Sequence, residues 1–318
     1  MTLTELQAPR RRTPSAASGP AAREERGSLS WGAVVIAIVF FTGTCVITYP
    51  TAAAWFTQLQ QSQRIVELSG EVGELSPSAR ELALDAAHTY NSALIGGASI
   101  AAGERLPLAD ADTGIDGASY SELLRADRTG LMARLKIPAI EADLPIYHGT
   151  SDEVLREGVG HLEGTALPVG GASTHSVLTG HRGLADAEIF TRLDQVHVGD
   201  TFTIEVFGEV LTYRVRNTAV VSPDQTESLH PEQGQDLVTL VTCTPLGINS
   251  HRILVTGERI TPTPPADLAN AGQAPTVPGF PWWAIIVGAT AIAGVAYVRL
   301  SSRRPSTSTT QQKENDHV

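Results

Sequence analysis

Cysteine is almost absent from this chain: Cys45 and Cys243 are the only two in 318 residues. Cys45 lies inside a long apolar run and Cys243 far outside it, so the two cannot meet in a disulfide. Basic residues are also scarce. Lys and Arg total 23 against 34 Asp and Glu, a formal charge of −11. A negative total argues against nucleic acid as a partner, because phosphate neutralisation requires a basic face. No Gly-rich phosphate loop, dinucleotide fingerprint or paired-carboxylate motif is present. The nine histidines include no pair at the spacing of a metal clip, and no acidic calcium loop stands out, so no metal or other cofactor is expected.

What the chain does have is two apolar runs, residues 31–50 and 281–300. Each is about twenty residues long, enough to cross a bilayer core. Arg10, Arg11, Arg12, Arg23 and Arg26 precede the first, and Arg299, Arg303 and Arg304 close the second. The positive-inside rule then predicts cytoplasmic termini and an extracellular region from about 52 to 279. Two alternatives stand beside these readings. Ala52-Ala53-Ala54 fits the small-x-small pattern of a cleaved signal peptide, although the run is longer than an ordinary signal core. The second run has the placement of a sorting tail, but no sorting pentapeptide precedes it, and Trp282-Trp283 reads as an interfacial belt. Retained anchors are the expectation for both.

Between the spans the pattern changes twice. Residues 54–96 read as helical, with Leu59, Ile65, Val66 and Leu68 roughly on one face. After a break at Gly73, Ser76-Pro77-Ser78 opens a second helix, with Ser78 and Glu81 spaced as a capping box. Residues 97–117, rich in Ala, Gly and Asp, read as a long loop. From 131 onward come eight short β-like runs: 135–137, 144–147, 176–179, 201–206, 210–215, 219–221, 237–242 and 253–255. Phe207-Gly208-Glu209 reads as a hairpin turn, and only 152–157 and 185–193 look helical. Eight strands at this spacing predict a closed barrel or a sandwich. The organisation expected is therefore a disordered cytoplasmic N-terminus (1–30), a membrane anchor (31–50), a helical stalk or flank with a loop (54–129), a β-domain (130–262), a linker (263–280), a second span (281–300) and a disordered tail (301–318).

Cys243 ends the apolar run Thr239-Leu240-Val241-Thr242, where a side chain can sit at a sheet rim. Pro245 then forces the chain to turn. An unpaired thiol in an oxidising compartment is a liability unless it has a chemical role, although an inert buried cysteine fits the composition equally well. Arg252 opens the next strand, within reach of the thiol across the connecting loop. A nearby cation favours thiolate, the nucleophilic form. His181 follows the strand 176–179 and is bracketed by Gly180 and Gly183, which let an imidazole project. Thiol, imidazole and guanidinium are the groups that acyl transfer through a thioester requires: a nucleophile, a proton carrier and an oxyanion partner. Thr242 and Thr244, beside the thiol, and His161 are expected to line the site.

Thr239-Leu-Val-Thr-Cys-Thr-Pro245 and Thr179-Gly-His-Arg-Gly183 resemble the sortases, and more narrowly the class C members that polymerise pilins in Gram-positive bacteria. The resemblance runs from about 130 to 260. It takes in Leu144-Pro-Ile-Tyr-His-Gly-Thr150, Gly158-Val-Gly-His-Leu-Glu-Gly164, Leu167-Pro-Val-Gly-Gly171, Thr174-His-Ser-Val177 and Pro245-Leu246-Gly247-Ile-Asn249. It implies a mainly β fold, an eight-stranded sortase-type barrel with an N-terminal helical segment and two flanking transmembrane helices. It implies Cys243 as nucleophile, His181 as acid/base and Arg252 as the oxyanion or positioning group. The implied substrates are pilins or surface proteins with an LPxTG-like sorting signal, and the implied acceptor is a pilin lysine. Class C members also carry a lid with an Asp-Pro-aromatic motif. Here Leu106-Pro-Leu-Ala-Asp110-Ala-Asp112 has aspartates but no such motif, so Asp110 and Asp112 are candidates for a lid of another kind. A housekeeping sortase that anchors surface proteins to the cell wall, a plain hydrolase and a non-catalytic sortase-like scaffold remain as alternatives.

Overall fold

The computed structural model describes residues 30–94, 120–184 and 187–302, which form two bodies: 30–43 with 289–302, and 44–288. The first body holds the outer ends of two helices, α1 (Trp31–Glu74) and α5 (Trp282–Ser301). Both helices are long and apolar enough to span a membrane. Here the two helices lie side by side, and a methyl group at Gly294 would meet Ala37 at an ordinary 3.5 Å.

At 44 residues, α1 is about 66 Å long at 1.5 Å per residue, twice what a bilayer core needs. Its far half is therefore free to serve the second body. Ile65, Leu68 and Val72 are buried at i, i+3 and i+7 spacing, a stripe that packs on the barrel. The break expected at Gly73 falls after Glu74, and α2 (Pro77–Ala93) follows. Its N-cap is Ser76, whose hydroxyl accepts from the Ala79 amide at 3.1 Å; the Ser78–Glu81 capping-box spacing lies two residues further into the helix. Leu84, Ala87 and Asn91 repeat the buried i, i+3, i+7 stripe. The amide of Asn91 then grips both backbone groups of Leu167, donating to its oxygen at 3.0 Å and accepting from its nitrogen at 2.7 Å. The pre-barrel helices are a packed flank, not a free stalk.

The β-domain is a closed barrel in the order β1-β2-β3-β4-β7-β8-β6-β5. Its strands are β1 (Leu131–Ile137), β2 (Ala142–His148), β3 (Val159–His161), β4 (Thr174–Thr179), β5 (Thr201–Val206), β6 (Glu209–Val221), β7 (Asp236–Thr244) and β8 (His251–Arg259). The helix α3 (Asp152–Glu157) lies between β2 and β3, as expected. Only β2–β3 and β4–β7 are parallel. Phe207 and Gly208, both at positive φ, make the two-residue turn between β5 and β6. Leu135, Ile146, Leu178, Phe202, Ile204, Val238, Leu240 and Val255 fill the core.

Eight strands were expected and eight are found, though not the same eight. Residues 210–215 and 219–221 belong to one strand, β6, whose register slips at a bulge between Val215 and Asn217; that bulge is the break in its apolar pattern. The three-residue β3 carries too little alternation to be seen. The helix expected over 185–193 is absent over the described 187–193, which forms irregular chain into a short 3₁₀ turn at Leu193–Gln195. Ile189, Phe190 and Leu193 are all buried in the main core, and this loop plugs one end of the barrel.

The C-terminal connection, with the short α4 (Pro265–Ala269), is bound to the barrel wall. Arg134, 2% exposed, forms a two-pronged pair with Asp143, both contacts 2.7 Å, and donates to the Gln273 oxygen at 2.7 Å. Farther along, the Trp55 indole of α1 donates to the Gly279 oxygen at 2.7 Å.

Candidate active site

Side chains alternate faces along a strand, and on β7 the two sets are clearly separated. Val238 and Leu240 point into the barrel core, whereas Val241 joins Leu162, Val177 and Leu254 in a second apolar cluster on the outer face. Cys243 falls on Val241's face by the period of two. On β8, Arg252 is the direct antiparallel partner of Cys243, so their side chains stand on one face with Cβ atoms about 5 Å apart. On the other side, parallel β4 pairs Thr179 with Val241. Two residues further along each chain lie His181 and Cys243. Thiol and guanidinium thus come from two paired strands, and the imidazole from the turn just past the end of a third, at about the same level.

They open into a cleft of about 90 Å³. Its floor is the Leu162–Val177–Val241–Leu254 cluster; one wall is the segment from Val221 to Leu229, the other includes Thr150 and Leu155. The sequence had not singled out this floor or the β6–β7 wall, although the alternation along β7 was the available signal for the floor. Gly180 has to be glycine: an added Cβ would lie 2.6 Å from the Phe190 ring and 2.9 Å from Ile189. Gly183, at φ +73°, turns the chain against Leu246. Arg252 Nη1 donates to the oxygens of Asn249 (3.0 Å) and His251 (3.1 Å), which fixes the guanidinium from behind.

Not every expected residue belongs to the cleft. Thr242 borders it, but its hydroxyl turns to the Gly180 oxygen at 2.7 Å. Thr244 is not among the lining residues; its hydroxyl accepts from Arg182 at 2.8 Å. His161 does not line the cleft either. It is fully buried, with Nε2 2.8 Å from the Ala166 oxygen and Nδ1 2.8 Å from the Tyr120 hydroxyl. A carbonyl only accepts, so Nε2 carries the proton and Nδ1 takes the hydrogen bond from Tyr120. Burial pushes its pKa down to about 4, and the ring is neutral. His148 and His175 also hold structure together. His148 sits between the oxygens of Gly130 and Leu123, and His175 between the His230 oxygen and the Thr239 hydroxyl. Among the described residues, His181 is the one histidine lining the cleft. Asp110 and Asp112 lie outside the described residues.

A thiol, an imidazole and a guanidinium thus gather over an apolar floor on a closed β-barrel, the set of groups that acyl transfer through a cysteine would need. The description of the sortase domain matches residues 135–260, a stretch that contains all three groups. The chain belongs to the sortase family. The structure of Sortase C from Streptococcus pneumoniae is 38% identical and superposes with a TM-score of 0.55 over 64% of this chain and 99% of that one. A lid mutant of Sortase A from Corynebacterium diphtheriae is 43% identical, with a TM-score of 0.53 over 60% of this chain and 98% of that one. Sortase D of Bacillus subtilis is 31% identical over 130 residues, covering 40% of this chain. The chain spans 63% of the length of that curated relative, less than two thirds.

Proposed function

We propose that this chain is a membrane-anchored cysteine transpeptidase of the class C type, joining a sorting signal to a pilin lysine. The observation that carries the reading is the convergence of Cys243, His181 and Arg252 in one cleft with an apolar floor. The Cys243 thiolate attacks the threonine carbonyl of an LPxTG-like signal. Arg252 faces the oxygen that becomes negative, and a fixed cation there is worth more in the transition state than in the ground state. As the C–N bond breaks, the His181 imidazolium gives its proton to the leaving amine, and a thioester remains on Cys243. A neutral lysine amine from the next subunit then attacks that carbonyl. His181 takes the proton, the C–S bond breaks, and an isopeptide bond is released.

The two apolar helices and the long helical flank before the barrel support the pilin-joining form, as does the likeness to a Sortase C whose description speaks of pilin substrate specificity. Both termini are then cytoplasmic and the barrel extracellular. The likeness to a Sortase A favours a second reading, anchoring of single surface proteins to the cell wall. Incubating the purified full chain with a sorting-signal peptide and reading intact mass tests the common chemistry. An acyl adduct at Cys243, absent in Cys243→Ala and released by an added amine, is expected. Peptide cleavage that persists in Cys243→Ala overturns the reading.

A further inference from the structure

The ladder that aligns His181 with Cys243 ends too early. Strand β4 stops at Thr179, two residues short of His181, yet proton transfer to sulfur demands hydrogen-bond reach. Four groups fix the chain past the strand end, three of them by contact with β7. Gly180 N donates to the Val241 oxygen at 3.0 Å, and the Thr242 hydroxyl donates to the buried Gly180 oxygen at 2.7 Å. Phe190 N donates to the His181 oxygen at 3.0 Å. The fourth is Arg182, whose side chain is only 10% exposed. Its Nη1 donates to Thr244 Oγ1 at 2.8 Å, its Nε to the Thr191 oxygen at 3.2 Å, and its Nη2 meets Asp194 at 2.7 Å.

The residues before and after His181 are thus held by those before and after Cys243. We infer that Arg182 and the threonine pair Thr242 and Thr244 form a clasp that sets the His181–Cys243 spacing, with Arg182 the positioning residue for the reaction. The inference rests on those two side chains being the reacting pair. The alternation of β7 makes the clasp possible: the residue between the threonines faces the cleft while both hydroxyls turn away from it. The fork matters more than the charge, because three planar donors reach a hydroxyl, a carbonyl and a carboxylate at once, and an ammonium on a flexible stem does not reproduce that fixed geometry. Asp194, 47% exposed, meets the third donor of the fork at 2.7 Å.

The test uses the full chain in detergent with a fluorogenic Leu-Pro-Glu-Thr-Gly peptide and an amine acceptor. Thr244→Val keeps the shape and removes the acceptor; Arg182→Lys keeps the charge and removes the fork. Each is expected to lower kcat about ten- to a hundredfold, the scale of an ångström-level misplacement, with KM within about twofold. Thr244→Ser is expected to restore kcat, and the double variant to be no slower than the worse single. Unchanged kcat in both singles, or losses that multiply, overturns the clasp.

A second readout needs no turnover. In a Cys45→Ala, His181→Cys background, adjacent-strand spacing of about 4.8 Å lies within disulfide range, so oxidation should link position 181 to Cys243. Adding Arg182→Lys is expected to slow that link at least tenfold. An equal rate, or no link in the intact frame, overturns the clasp even if the peptide assay shows ordinary transpeptidation. Conversely, a clasp-dependent link in a chain with no peptide turnover retains the clasp and refutes the proposed function.

Discussion

Replacing Gly180 with alanine isolates the link between packing and chemistry. The backbone there is not in the left-handed region, so alanine adds one methyl group and no torsional cost. That methyl would stand 2.6 Å from Phe190 Cδ2 and 2.9 Å from both Phe190 Cγ and Ile189 Cγ2, in a wall where Phe190 is 0% and Ile189 1% exposed. Contacts that short are repulsive, and the interior is too dense for either side chain to step aside freely. Overpacking of this kind costs about 1–3 kcal/mol. The relief available is a shift of the 187–193 plug away from the strand end, which drags the Phe190 amide off the His181 oxygen. Gly180→Ala should therefore lower stability by that amount in urea unfolding of the full chain in micelles. Its kcat should also drop about tenfold or more, since a misplacement of about 1 Å is enough for that. Gly180→Ala combined with Phe190→Leu should cost less than the sum of the two singles. Wild-type stability and turnover in Gly180→Ala would refute the reasoning, as would strict additivity of the pair.

Other parts of the molecule give equally definite expectations. Asp143→Asn leaves the buried Arg134 guanidinium with only the more distant Glu205 carboxylate, at 3.5 Å, so the loss should fall below the about 3–5 kcal/mol of a fully broken buried pair; limited proteolysis within 264–280 should accelerate, because Arg134 also holds the Gln273 oxygen. His161 contributes a pH dependence of known sign. Its folded pKa, about 4, lies below the ordinary 6.5, so between those values the unfolded chain binds the extra proton. The contribution is present above pH 6.5 and is lost on acidification towards 4, at up to about 1.4 kcal/mol per pH unit. Unfolding midpoints at pH 7 and pH 5 should therefore converge in His161→Gln relative to wild type, and an unchanged gap would refute the assignment.

The sequence disclosed most where side-chain period and reactive type coincide. The run into Cys243 was readable as a strand because β-branched and apolar residues continue almost unbroken up to a proline, and the arginine opening the next strand followed from the short loop. It disclosed less where local pattern and tertiary demand part. Ile189, Phe190 and Leu193 have helix-like spacing, yet they plug a barrel end, and burial decides their conformation. β3 depends on its neighbours for every hydrogen bond and leaves almost no local trace. His161 illustrates the limit for single residues: a histidine between glycines reads as lining the site, and only the Tyr120 and Ala166 contacts reveal a buried, neutral ring that does not. Arg182 was in plain view beside His181, but its three partners lie nine, twelve and 62 positions away. No local reading assembles them.

The most direct test of the central claim is the covalent state of surface proteins in a host carrying Cys243→Ala. Cell-wall extracts from that strain and from wild type, run in hot detergent, should differ in one respect. The high-mass ladder of joined subunits should vanish and free pilin monomer appear. A ladder that persists while single surface proteins leak into the medium would contradict pilin joining and establish the anchoring reading in its place. No difference between the strains would contradict both.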